Sequence, residues 1–409
     1  MKIRINTSSD KRLTFFIATT VIALLLNNLT HNLPFSETLD SIINIVLKSV
    51  VGFVFITQIL IIFNRFNKHL FIFTSSVVFV ITANIVFFPE LLPYFINNTL
   101  KFCTFCFPAY LVLYSIRDFD LLRTYLTKVS YFISAIMLLF LIAVLAGLID
   151  FSHYDMALGY NCLFPTMILF WDFTRNKKIT TLVSILIMIL SILVLGSRGP
   201  LIGIFSFGLF FWIRSLIQKH KYGQIASITI IILLFALMHK TLLIYLYGFL
   251  QNFGIHSRTL SLMTSQTIHM SGRDEIYTTL IRLIENDPFT IRGINAEWDL
   301  FNAYAHNIIL ELLYQFGVVL GGIFLLYIFV KALRTISFKE LDSPKVFSII
   351  LMFASLPQLF VSSSLWTNQM FWMWMAVSSK ITILDESKCL DQKINKNQPQ
   401  GVKNGKNFS

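Results

Sequence analysis

Charge is what this sequence has least of. Only 13% of its 409 residues are Asp, Glu, Lys or Arg, about half the share of a soluble domain. That excludes an ordinary water-soluble globule, which could not cover its surface with so few charges. Cysteine is scarce as well, with four residues. They form no disulfide framework and no zinc spacing. Cys103 and Cys106 make a CxxC inside an apolar run, where nothing activates a thiolate, so packing accounts for them better than redox chemistry. Cys162 and Cys389 are isolated. His239, His256 and His269 lack metal-ligand spacing, so no metal site is expected. No P-loop or dinucleotide fingerprint occurs, and no cofactor is expected. The opening MKIRINTSSDKR has no small-residue cleavage site, so the first apolar run is read as a retained span.

Apolar residues fill the space that charge leaves. Hydrophobic types make up 56% of the chain, and 41 residues are Phe. Apolar runs long enough to cross a roughly 30 Å hydrocarbon core recur along the chain. Helices are the element expected for them, because a helix satisfies its own backbone in lipid. Spans are read near 13–30, 41–63, 70–88, 99–116, 129–149, 156–173, 179–196, 199–216, 225–247, 308–330, 346–364 and 368–384. The fold class is therefore an all-α polytopic membrane protein with about 12 transmembrane helices. Its parts are an N-terminal bundle of about nine helices (1–247), a large outer loop (248–305), C-terminal helices (306–384) and a disordered tail (385–409).

The net charge of +12 is a topology signal and not a nucleic-acid one. With the N-terminus cytoplasmic, 25 of the 33 Lys and Arg fall in cytoplasmic segments, and the short outer loops 31–40, 89–98, 150–155 and 365–367 hold none. This obeys the positive-inside rule and puts both termini in the cytoplasm. Lys101 and Lys240 lie near span ends and can snorkel. Lys48 falls within the second span, facing either a protein cavity or a misplaced boundary. The remaining outer cations are all arginines: Arg198, Arg258, Arg273, Arg282 and Arg292.

The outer loop holds one evident helix, SGRDEIYTTLIRLIEN. Ser271 and Asp274 form a capping box, and Ile276, Leu280, Leu283 and Ile284 make one apolar stripe. It is expected on the membrane surface or against the bundle. Three outer clusters carry chemistry. Arg198 sits in the tight turn GSRGP; an arginine at that depth needs a partner or water, and contact with lipid phosphate is its plainer explanation. Arg273 opens the loop helix, where backbone N–H groups already favour anions and a guanidinium adds a bidentate donor for phosphate; the alternative is an ion pair with Asp274 or Glu275. The third is Tyr304-Ala305-His306-Asn307 with Glu311 and Gly317. A neutral imidazole there can act as general base, with Asn307 or Glu311 orienting it or binding sugar. Arg258 and Arg292 are weaker binding candidates. Several arginines and one histidine on the outer face suit an anionic, lipid-linked ligand such as a diphosphate.

The stretches GSRGPLIG (196–203), SGRDEIY (271–277), ENDPFTIRGIN (285–295) and AHNIILELLYQFGVVLGG (305–322) resemble the O-antigen ligase and polymerase superfamily, and ALGYNCLFPTMILF (157–170) is similar to spans of the polymerases. The resemblance covers roughly residues 155–330. It implies a bundle related to GT-C-type glycosyltransferases, acting in the bacterial inner membrane on undecaprenyl-diphosphate-linked oligosaccharides at the periplasmic face. By the resemblance, Arg198 and Arg273 stabilise the departing diphosphate and His306 is the base. Metal-free transfer with inversion is expected, as is work beside a flippase and a chain-length regulator. Gly317 matches the ligase glycine nine residues after the His-Asn pair. The small residue expected three further on is Leu320 here, with Gly321 next. That departure favours a polymerase for O-antigen or capsule over a ligase that loads lipid A core. A flippase is the rival from another class, but it should show ionisable residues through the membrane.

Overall fold

The computed structural model describes residues 7–31, 36–148, 156–195, 198–218, 244–245, 248, 273–338 and 340–397. The expected ninth span, the candidate Arg258, and the motif residues Ser271 and Gly272 lie outside the described residues, apart from scattered positions between 244 and 248. Fifteen α-helices follow one another: α1 Thr7–Thr30, α2 Glu37–Ile56, α3 Ile59–Phe63, α4 Lys68–Phe87, α5 Leu92–Lys101, α6 Phe107–Ser115, α7 Phe119–Leu145, α8 Met156–Asn176, α9 Ile179–Val194, α10 Arg198–Gln218, α11 Arg273–Asn286, α12 Ala296–Phe301, α13 Ile308–Ile336, α14 Ser343–Val361 and α15 Gln369–Asn397. Seven of them are long and apolar enough to cross a membrane, and α9 is a shorter apolar helix. The protein is an all-helical, multi-pass membrane protein.

Polar side chains set the boundaries. Ser36, Asn67, Asp118, Asn307 and Asp342 each accept a backbone N–H at the start of α2, α4, α7, α13 and α14, which satisfies donors that a helix start leaves open. The second expected span breaks into α2 and α3. There Thr57 and Gln58 both donate to the Val54 carbonyl, at 2.7 and 3.1 Å. The fourth passes through a π-helical turn, Phe102–Cys106, that carries the CxxC. One expectation fails: the region from residue 385 is not all disordered tail. Helix α15 runs on to Asn397, because nothing from Leu384 to Asn397 is Gly or Pro.

Helices α1 and α14 are more than half buried, whereas α2 and α4 are hardly buried at all. The centre is packed from α6, α7, α8, α14 and α15, around Phe164, Phe347, Met373 and Trp374. Lys48 lies exposed on peripheral α2.

A buried ion cluster ties the end opposite the loop helices together. Asp10, wholly buried, pairs with Arg65. It also accepts the Asp118 N–H at 3.0 Å, while Arg65 donates to the Ser115 carbonyl at 2.7 Å. Lys380 donates to the carbonyls of Tyr114 and Ile116. One cluster thus joins α1, the segment after α3, the end of α6 and α15. Replacing Asp10 by Ala would strand the Arg65 charge, and should cost about 3–5 kcal/mol. Thermal unfolding in detergent checks this; an unchanged midpoint would mean the cluster is not structural.

At the other end, α11 and α12 build a second small core. Leu280 and Ile284 of α11 pack with Leu91, Ala296, Ala305 and Tyr314, and Ile276 and Leu283 pack at its edge. The apolar stripe therefore faces the bundle.

Helix α13 is broken. Gly317 has φ 71° and ψ 169°, a conformation essentially reserved for glycine. The freed backbone groups find partners in the loop: Gln315 O accepts from Arg292 N at 2.9 Å and Gly293 N at 3.1 Å, and Val318 N donates to Pro288 O at 2.7 Å. The break folds residues 308–316 back on the rest. In a straight helix Leu312 and Gly321 would lie about 13 Å apart. Here a Cβ on Gly321 would stand 2.5 Å from the Leu312 carbonyl. Gly317→Ala should therefore cost about 1–3 kcal/mol in backbone strain, and more because its Cβ would come within 3.0 Å of Phe289 O. The expected result is a lower melting temperature and a displaced 288–293 loop; wild-type stability would contradict the break.

Candidate functional site

Four elements meet at the loop end: the starts of α8, α10 and α11, and the turn 362–368 after α14. Arg273 is the first residue of α11. Its guanidinium donates to the Val361 carbonyl and reaches the Met156 sulfur at 3.9 Å. One turn along α8 from Met156, the Tyr160 ring fills the space beside Gly199, where a Cβ would fall 1.7 Å from the phenol oxygen. Only glycine permits that approach. It brings the first turn of α10, which Arg198 opens, against the same end of α8 that Arg273 touches.

His306 lies on the segment between α12 and α13, with a left-handed φ of 56°. Non-glycine residues adopt this rarely, His among the more tolerant. Two tyrosines hold it. Tyr277, one turn on from Arg273, donates to the His306 carbonyl at 3.2 Å. The Tyr304 ring lies 4.1 Å from the imidazole centroid, and its hydroxyl donates to the Ser362 carbonyl at 2.8 Å. The Nδ1 atom is buried and has no hydrogen-bond partner among the described residues. Burial, then the Arg273 charge, pushes the imidazole pKa down to about 4. It is therefore neutral at pH 7, with a nitrogen free to accept a proton.

Three sequence candidates are occupied elsewhere. Asn307 spends its carbonyl oxygen on the N–H groups of Ile309 and Leu310, at 2.9 and 3.4 Å. Glu311 is fully buried and accepts from the Ser364 hydroxyl at 2.5 Å and Leu365 N at 3.2 Å. So Tyr304, and not Asn307 or Glu311, packs on the imidazole. Arg292 donates to the carbonyls of Leu283, Asp287 and Thr290 and lies over the Tyr314 ring at 4.8 Å. It braces the end of α11 as a last-turn cation does. Its guanidinium is used by protein carbonyls and not held open for substrate.

Sequence reading missed the turn that scaffolds the site. Residues 361–366 serve Arg273, Tyr304 and Glu311 in succession. The Trp366 indole donates to Gln315 at 2.9 Å, and Gln315 donates to both oxygens of buried Glu297, at 3.1 and 2.9 Å. Burial raises the Glu297 carboxyl pKa. One signal was visible: Glu311 and Gln315 are polar residues four apart on an apolar helix, a placement that demands partners.

Residues 183–326 match the family model described as O-antigen ligase. That segment is similar to the O-antigen ligase family. The match supports the ligase and polymerase superfamily, and a function of that type in lipopolysaccharide or polysaccharide biosynthesis. Arg198, Arg273, His306, Gly317 and Gly321 all fall inside the matched segment. No curated protein and no solved structure matches the chain. The break at Gly317 also moves the position of close approach along α13. The residue that must be small is Gly321, which is buried, while Leu320 is 43% exposed. The departure at Leu320 therefore does not count against a ligase.

Proposed function

We propose that the protein polymerises undecaprenyl-diphosphate-linked repeat units into O-antigen or capsular polysaccharide, on the outer face of the inner membrane. The observation that carries glycosyl transfer is a neutral, half-buried His306 under the charge of Arg273, both within the segment that matches the O-antigen ligase family. The anomeric C1–O bond to the diphosphate breaks and the leaving group departs with the electron pair. Arg273, with Arg198 beside the same end of α8, stabilises that developing charge in a partly dry site. His306 takes the proton from the attacking sugar hydroxyl, and a new C1–O bond forms with inversion. One feature supports the polymerase: the likeness of 157–170 to polymerase spans. The ligase is the second reading, supported by Gly321 at the point of close approach.

Deleting the gene in its native cell and profiling surface glycan separates them. A single repeat unit still attached to its anchor supports the polymerase. Loss of all attached glycan, with long polymer building up on the carrier, would mean a ligase. An unchanged profile would overturn both.

A further inference from the structure

A cavity of about 420 Å³ runs between α4, α5, α6, α13 and α15, and its lining includes none of Arg273, Tyr304 or His306. Along α4 it extends from His69 to Ile81, about 18 Å of helix rise, which is more than half the thickness of a hydrocarbon core. The volume lies within the roughly 300–1,000 Å³ usual for ligand pockets. Spread over that length, it leaves room for one chain and not for a cluster of acyl chains. Its walls are aromatic and aliphatic, with Phe73, Val77, Phe324 and Met375 among them, and no Asp, Glu, Lys or Arg lines it among the described residues.

The loop end of this shaft is different. Asn295 lines it, is 1% exposed, and has φ 66°. Neither its amide nitrogen nor its oxygen has a partner among the described residues. A buried polar group left unpaired costs about 1–3 kcal/mol, so this amide is poised for a polar ligand atom. Its position is built: Asn84 of α4 accepts the Ile294 N–H at 2.7 Å, which holds the loop over the shaft. Asn98 lines the same cavity, and a pair of amides offers hydrogen-bond donors to a phosphate oxygen.

We propose that this shaft holds the isoprenoid chain of the acceptor, with its diphosphate at the loop end, where the amides of Asn295 and Asn98 can donate to it; this rests on the polymerase reading above. Charge decides between the substrates. The donor's diphosphate must leave, and so belongs with Arg273. The acceptor's diphosphate stays intact and gains no charge in the reaction, so amide donors at the end of the shaft suffice for it. The turn 362–368 links the two places, since Val361 and Ser362 hold Arg273 and Tyr304 while Leu365 and Trp366 line the shaft.

The test uses the full chain in nanodiscs and a polyprenyl-diphosphate N-acetylglucosamine carrying a diazirine on its chain. Photolabelling is expected on Phe73, Val77, Phe324 or Met375. It should fall at least tenfold in Val77→Trp, which plugs the shaft, and persist in Arg273→Ala. Asn295→Leu should weaken competition by unlabelled probe several-fold. In the wild type, unlabelled probe should displace the label and excess phospholipid should not, a result independent of any variant's folding. Equal displacement by phospholipid would reduce the shaft to a slot for bulk lipid and overturn the proposal. Labelling confined to the surroundings of Met156 and Val361 would overturn it too. If native lipid-linked units are polymerised equally well by Val77→Trp, this proposal falls alone. If the wild type labels the shaft but makes no polymer, the polymerase reading falls and the acceptor assignment with it.

Discussion

Replacing His306 by Asn should lower the rate of transfer about 10²–10⁴-fold while donor binding stays near its wild-type level. Asn is the informative substitute because it tolerates the left-handed backbone that His306 occupies, so the segment before α13 keeps its course. What is lost is the imidazole that faces Tyr304 and Arg273. Full activity would remove His306 from proton transfer, and lost donor binding would make it a ligand for the sugar instead.

The pH dependence has a definite sign. In the free protein, burial and the Arg273 charge hold the imidazole at about 4, a weak base. An anionic diphosphate on Arg273 offsets that charge and raises the imidazole pKa toward the range useful for catalysis. The acid limb of kcat should therefore lie at higher pH than that of kcat/KM, since the first reports the bound enzyme and the second the free one. Stability follows the same group. A folded pKa below the ordinary 6.5 means that protonation favours the unfolded chain. Stability from this residue is complete above about pH 6.5 and declines as pH falls toward 4. The decline should be absent in His306→Asn. Coincident limbs, or identical stability profiles, would contradict the coupling.

Arg273→Ala should reduce kcat by about 10²–10³-fold, the loss found when one preorganised donor to a developing negative charge is removed. Arg273→Lys should recover only part of it. A guanidinium can donate to the Val361 carbonyl and still offer a second N–H edge to phosphate, whereas an ammonium has no planar fork. The same change relieves His306 of a neighbouring cation, so the acid limb of kcat/KM should move up in Arg273→Ala. Loss of activity with an unmoved limb would mean that Arg273 acts on the diphosphate without governing His306. Activity equal to wild type in both variants would take it out of the mechanism.

Seven of the expected spans were legible in the sequence because long apolar runs declare themselves by length and hydropathy. The apolar stripe of α11 was legible for the same reason, as a local periodicity. Arg273 and His306 could be singled out as polar groups where polarity is expensive. What the sequence hid depends on distant partners. Nothing local shows that Gly317 breaks α13, because the break is stabilised by the Pro288 carbonyl and the N–H groups of Arg292 and Gly293, well upstream in the loop. With that break unseen, Leu320 looked like the position that had to be small, when the fold-back makes it Gly321. The uses of Asn307 and Arg292 were hidden likewise, since capping α13 and bracing α11 show only in three dimensions. Asn295 drew no notice at all, as one asparagine in a loop with nothing to mark it as buried.

On the proposed function, one site built around Arg273 and His306 joins two lipid-linked glycans. The most direct measurement reconstitutes the purified protein in liposomes with lipid-linked repeat units from the native cell as the only substrate. The account predicts a ladder of polymer, one polyprenyl diphosphate released per linkage, and no ladder in His306→Asn or Arg273→Ala. A ladder that survives both substitutions would contradict it, as would a wild-type protein that forms product only when lipid A core is supplied.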